Sequence, residues 1–137
     1  MRAVLDPNVI ISGLLSPAAP PAQLLRACAD GAFELIASAA LFEELERALD
    51  DPKLRRRIPT DDAAAALAWL RKLAVIAPDP AQPYAVRSED RGDDYLIAVA
   101  AAQRAPLVSG DQHLLDLADE IPVLSAREFL ELLDEAC

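Results

Sequence analysis

Acidic side chains stand immediately beyond two apolar runs of this sequence. Ala3 to Leu5 is apolar and stops at Asp6, Pro7 and Asn8; Pro106 to Val108 is apolar and stops at Ser109, Gly110 and Asp111. Short apolar runs that end in polar residues read as buried strands leading into loops. In an open parallel sheet, ligands sit outside the carboxyl ends of the strands, so Asp6, Asn8, Ser109 and Asp111 occupy the edge where a site would form. Carboxylates at one edge repel and raise one another's pKa, an arrangement that costs stability. Each acid can instead cap the helix that follows it, a common role for Asp and Ser. At Asp6, which leaves a buried strand ahead of a proline, the functional reading is the stronger one.

Helical geometry sorts the remaining acids. At about 100° per residue, Leu41, Leu45, Ala48 and Leu49 form an apolar stripe with Glu44 at its edge and Glu43 nearly opposite. Glu44 therefore leans inward, whereas Glu43, with Arg47 four residues on, has the spacing of an ordinary surface pair. Asp93 and Asp94 open a segment whose body, Tyr95 to Ala102, is apolar on every side, as in a buried helix. Either could aim a carboxylate at the sheet edge, or simply offset the helix dipole. Asp6, Glu44, Asp94 and Asp111 would then converge from separate elements, a cluster whose repulsion calls for cations. All-oxygen donors suit Mg²⁺ or Mn²⁺. Magnesium held by carboxylates and completed by water and phosphate oxygens is the usual arrangement for phosphodiester hydrolysis.

The elements that must position these residues follow from the same pattern. Strands are expected at Ala3–Leu5, Phe33–Ala37, Val75–Ala77, Pro106–Val108 and Pro122–Leu124. Helices are expected over Ala22–Ala29, over Ala39–Leu49 with Ser38 as N-cap, and over Thr60–Leu73 with Thr60 as cap. Further helices are expected over Asp93–Arg104 and His113–Ala118, and a last one behind a capping box of Ser125 and Glu128. Pro78 to Asp90 reads as a loop, as do Asp6 to Asn8 and the prolines at 17, 20 and 21. Strands alternating with helices, apolar throughout, predict a parallel sheet covered on both faces.

The chain has 137 residues, enough for a single domain with a real core and no staples. With 53% hydrophobic residues, a net charge of −10 does not indicate disorder, and the protein reads as folded and acidic. Glycine occurs only at positions 13, 31, 92 and 110, so neither a dinucleotide-binding nor a phosphate-loop motif can be written. A single histidine, His113, far in sequence from Cys28 and Cys137, excludes structural zinc spacing. No apolar run reaches membrane length and the N-terminus lacks a signal-peptide pattern, so a cytoplasmic location without membrane association is expected.

With those residues assembled, the chain resembles the PIN-domain ribonucleases, in particular the VapC-type toxins of bacterial toxin–antitoxin pairs. The resemblance is carried by VLDPNVIISGLLSP, by Glu44–Leu45 in FEELERAL, by DDYLIAVA and by LVSGDQHLL, in the family's order over nearly the whole chain. It implies an α/β fold, a three-layer α/β/α sandwich around a central, mostly parallel five-stranded sheet, in one PIN-like domain spanning 1–137. It implies Asp6, Glu44, Asp94 and Asp111 as catalytic, metal-binding acids, with Asn8, Ser12 and Ser109 as polar supports that orient carboxylates or water and Asp93 assisting. It further implies a Mg²⁺- or Mn²⁺-dependent endoribonuclease with RNA as substrate, a cognate antitoxin as partner and a homodimer as assembly. Pro7 departs from the pattern, standing where the family usually has Thr or Ser, which removes a hydroxyl and a backbone N–H beside the site.

The acidic balance runs against phosphate binding, which wants a basic face. Lys53, Arg55, Arg56 and Arg57, with Arg87 and Arg91, are the candidate contacts; cations placed at a helix C-terminus explain the first cluster equally well. Trp69, Tyr84 and Tyr95 could stack on bases, although Trp69 in an alanine-rich helix suits packing or a dimer contact better. His113 is expected to cap or pack rather than act as a base. Other classes fit less well. A receiver-like domain needs a lysine at a late strand end, and Lys53 and Lys72 are not so placed. A haloacid-dehalogenase-type phosphatase needs Asp where Asn8 stands. A non-catalytic PIN-like module that binds RNA or an antitoxin is separated only by assay.

Overall fold

The structure, a computed structural model, describes residues 1–88 and 91–136. Glu89, Asp90 and Cys137, and the Arg91 side chain counted among the basic contacts, lie outside the described residues.

The elements run β1 (Arg2–Leu5), α1 (Pro7–Leu15), α2 (Pro20–Ala29), β2 (Glu34–Ala37), α3 (Ala39–Leu49), α4 (Pro52–Arg55), α5 (Thr60–Leu73) and β3 (Val75–Ile76). A 3-10 turn (Arg91–Asp93) then leads into α6 (Asp94–Gln103), β4 (Leu107–Val108), α7 (Gln112–Leu115), β5 (Val123–Leu124) and α8 (Ala126–Ala136). The strands form one five-stranded sheet in the order β3-β2-β1-β4-β5, and every neighbouring pair is parallel rather than most of them. In the central strand, Val4 sits in register with Ile36 on one side and Leu107 on the other. Successive strand side chains point to opposite faces, yet Ala3, Val4 and Leu5 are all fully buried, so helices cover both faces. The chain builds outward from β1 through β2 to β3, then returns to the other side of β1 as β4 and β5. The strand order therefore switches between β1 and β4, where Asp6 and Ser109 leave the sheet.

Local chemistry accounts for the element starts, including two that the sequence pattern did not reveal. α1 begins directly at Pro7, where a loop was expected. Proline's fixed φ suits the first helical position, and Asp6 caps the helix by accepting the Asn8 N–H at 3.0 Å. Val9, Ile10 and Ile11 are buried in succession, which blurs the amphipathic stripe and leaves Asn8 and Ser12 as the exposed face. α4 occupies residues read only as a helix end, with Asp51 accepting the Lys53 N–H at 2.9 Å. At α5 the expected cap fails: Pro59 holds the cap position, Thr60 is already helical and no side chain caps it. Ser38 does cap α3, and Ser125 and Glu128 exchange both bonds of a capping box, at 2.9 and 3.1 Å.

The core is closed by α8, whose Phe129 meets Phe33 edge to face with centroids 5.0 Å apart. α1 and α2 pack closely because Gly13 has no Cβ; one there would lie 3.0 Å from the Pro21 carbonyl oxygen and 2.7 Å from Leu25 Cδ1. Gly13→Ala gains helix propensity but forces these helices apart, and is expected to lower stability by about 1–2 kcal/mol. Urea denaturation checks this; a rise in midpoint would show that the interface relaxes freely. Among the described residues no helix is long and apolar enough to cross a membrane.

Candidate functional site

Asp6 is 3% exposed and sits at the carboxyl end of the central strand, its backbone N–H still bonded to Val108 O at 2.9 Å. Its Oδ1 accepts the Asn8 N–H and its Oδ2 accepts the Ser109 hydroxyl at 2.8 Å. Burial raises the Asp6 pKa; the Asn8 N–H and the Ser109 hydroxyl pull it back, and the negative charges of Glu44 and Asp111 push it up again. A buried carboxylate held by donors and crowded by two acids, with no positive counter-charge acting on it among the described residues, is the arrangement expected of a cation site.

Ser109 is the joint between the strand ends. Fully buried, it donates to Asp6 and accepts the Asp111 N–H at 3.0 Å, setting the spacing of the two acids. Asp111 in turn caps α7, its Oδ1 accepting the His113 N–H at 2.9 Å. His113 Nδ1 lies 3.7 Å from the same oxygen, so the imidazole packs beside the cap. The capping alternative is thus realised at both Asp6 and Asp111, and it coexists with their approach to one another.

Glu44 is half-buried on the inner side of α3, and Glu43 is exposed. The ion pair of this helix runs from Glu46 to Arg71 of α5, not from Glu43 to Arg47. Glu44 Oε2 accepts the Tyr95 hydroxyl. Burial first, then the bond to Glu44 and the charges of Glu44, Asp6 and Asp93, push the Tyr95 pKa far up, so the phenol remains a proton donor. Tyr95, considered from sequence only as a surface for stacking bases, is instead the link between α6 and α3.

The paired acids at the start of α6 part company. Asp93 stands at the N-cap with Oδ2 enclosed, close enough for its charge to act on the Tyr95 hydroxyl. Asp94 Oδ1 accepts the N–H of buried Ser88 at 2.8 Å, which fastens the end of the preceding loop to the helix. Asn8 contributes its backbone N–H rather than its side chain, and lines with Ser12, Gly110 and Asp111 a depression of ≈ 370 Å³ beside the acids. Glu44 and Asp111 are thus each within electrostatic reach of Asp6, with Asp93 on the Tyr95 side. Among the described residues, however, no group of three acids, cysteines or histidines is drawn together as a metal cage, as a four-acid cluster would require.

The donor chemistry nevertheless fits a hard divalent cation. Mg²⁺ keeps several waters and is held by one or two carboxylates plus substrate phosphates, so an open, all-oxygen site around a buried Asp suits it better than a closed cage. Asp6, with Glu44 or Asp111 beside it, would hold such an ion. Because Ser109 positions two of these acids, Ser109→Ala is expected to weaken Mn²⁺ binding about tenfold or more while the fold persists. Calorimetric titration with Mn²⁺, set beside circular dichroism, checks this; unchanged binding would make Ser109 a purely structural link.

Residues 2–113 match the PIN domain family. The chain belongs to that family. Proteins with PIN domains are generally nucleases that depend on divalent metal ions. This PIN domain is 24% identical over 141 residues to an uncharacterized protein of Methanocaldococcus jannaschii, covering 96% of this chain and 90% of that protein. Its fold is similar to a chain in the crystal structure of VapBC2 from Rickettsia felis bound to a DNA fragment from their promoter. The TM-score is 0.61 at 15% identity, over 91% of this chain and 97% of that one. In this PIN domain Pro7 is buried at the first turn of α1, directly after Asp6.

Proposed function

We propose that this PIN domain is a Mg²⁺- or Mn²⁺-dependent endoribonuclease and the toxin of a toxin–antitoxin pair. The observation that carries the reading is the buried Asp6 carboxylate at the strand-order switch, fixed by two donors and flanked by Glu44 and Asp111. A divalent cation held by these carboxylates would supply Lewis acidity, for activation of water and for neutralisation of charge on phosphoryl oxygens. The chain's part is positional. Ser109 and the Asn8 N–H hold Asp6, the α7 N-terminus holds Asp111 and Tyr95 holds Glu44, so that the carboxylates need not reorganise as charge develops. The depression bordered by Asn8, Ser12 and Asp111 is the natural entrance for a phosphodiester strand.

Lys53, Arg56 and Arg57 are exposed on and beside α4, and Arg55 is paired with Asp50. Against a net charge of −10 these cations support only weak RNA affinity, and one that falls with salt. The toxin assignment, an antitoxin partner, a homodimer and a cytoplasmic location follow from the motif resemblance and from the fold shared with a VapBC chain.

The test is cleavage of a mixed RNA panel by purified protein with EDTA, Mg²⁺ or Mn²⁺, alongside growth of a bacterial host expressing the chain. Cutting that requires metal, together with growth arrest, supports the reading. A folded protein that cuts no RNA and binds no Mn²⁺ by calorimetry would overturn it in favour of a binding module.

A further inference from the structure

Asp6 and Asp111 are each held at a strand end or a helix start. Asp6 is fixed by the Asn8 N–H and by Ser109, and Asp111 by the His113 N–H of the helix it caps. Glu44 has no such arrangement. It lies in the body of α3, carries the longest side chain of the set, and leans towards Asp6, whose charge would drive it outward to water. Among the described residues its hydrogen-bond partner is the Tyr95 hydroxyl, which reaches across from α6, 51 residues away in sequence.

We propose that Tyr95 is a positioning residue for Glu44, its hydroxyl holding the carboxylate in the orientation that receives a divalent cation. A carboxylate offers two oxygens and about four lone-pair sites, so one hydrogen bond at Oε2 leaves Oε1 and further lone pairs for ligation. The bond also removes rotamer freedom that Glu44 would otherwise lose on binding the ion. A phenylalanine fills the same ring volume in α6, so the hydroxyl is dispensable for packing. Its place beside Glu44 and Asp6 is explained by the site and not by the core. The arrangement is the counterpart on α3 of what Ser109 does for Asp6.

This inference rests on the cation site of the proposed nuclease, and its test separates the two. Mn²⁺ is titrated calorimetrically into the wild type, Tyr95→Phe, Glu44→Gln and the double variant, each shown by circular dichroism to be folded. Tyr95→Phe is expected to weaken Mn²⁺ binding about tenfold. In the Glu44→Gln background the same change is expected to have no further effect, because the group it orients is gone. Wild-type affinity in Tyr95→Phe, or an undiminished loss in the Glu44→Gln background, overturns the positioning role while leaving the nuclease reading standing. A wild type that binds no Mn²⁺ and cuts no RNA removes the nuclease reading and this inference together.

Discussion

Replacing Asp6 by Asn is expected to reduce RNA cleavage by on the order of a thousandfold or more while raising the melting temperature of the metal-free protein. The two effects share one cause. Asp6 is buried and crowded by Glu44 and Asp111, so its pKa is higher in the folded chain than in the unfolded one. A raised acid pKa means stability that is present below the unfolded value and lost as pH rises through the folded value. At neutral pH the ionised Asp6 therefore works against folding when no cation is bound. Asparagine keeps the geometry: its carbonyl can accept the Asn8 N–H, and its amide can donate to Ser109 Oγ, whose second lone pair is free beside the Asp111 N–H. The melting temperature of Asp6→Asn should exceed that of wild type by a few degrees at neutral pH, with the gap narrowing in acid. Saturating Mn²⁺ should reverse the order, because it stabilises only the chain that binds it. Thermal melts with EDTA and with Mn²⁺ at several pH values check this directly. A destabilised Asp6→Asn protein in EDTA would show that the carboxylate serves the α1 cap and not a cation.

The second large effect distinguishes neighbouring acids. Asp93→Asn is expected to reduce cleavage by about a hundredfold, and Asp94→Asn by about tenfold or less. Sequence position leaves either acid open, and the family resemblance selects Asp94 within the motif DDYLIAVA. The structure gives Asp94 Oδ1 to the Ser88 N–H, and it is the charge of Asp93 that acts on the Tyr95 hydroxyl next to Glu44. Loss of the Asp94 charge weakens a charge-assisted bond that fastens the preceding loop, which should lower stability by about 1 kcal/mol. The two variants should therefore separate: Asp93→Asn inactive with its stability maintained, Asp94→Asn active with a lower melting temperature. Rate constants and melts on the same preparations decide it, and the opposite pattern would assign the catalytic role to Asp94.

Where each kind of information entered can be traced through particular residues. The strands and the larger helices were legible because apolar runs and 3.6-residue stripes report burial directly, and burial is what the sheet and its two helical layers impose. Glu44 was legible for the same reason, since its angle from the Leu41–Leu45 stripe is a property of one helix. α1 was hidden because three successive buried residues, Val9 to Ile11, blur its stripe and leave only Asn8 and Ser12 to mark the exposed face, although Asp6 followed by Pro7 is a sound helix start once read as cap and first residue. The Gly13 contact with α2 could not be read at all, because the closeness of two helices depends on a partner that sequence spacing does not name.

By itself, then, the sequence determined the alternation of strands and helices, the acids at the carboxyl ends of β1 and β4, and the inward lean of Glu44. All of these depend on residues near one another in the chain. Only the tertiary structure decided that Ser109 joins Asp6 to Asp111, that Tyr95 holds Glu44, and that Asp94 is tied to Ser88 while Asp93 bears on Tyr95. The bonds of Ser109 to Asp6 and of Tyr95 to Glu44 are contacts between separate elements, and the others are local ties whose direction the folded turn sets. Two adjacent carboxylates have the same composition and nearly the same spacing, and only the direction in which the folded backbone turns each one separates their partners.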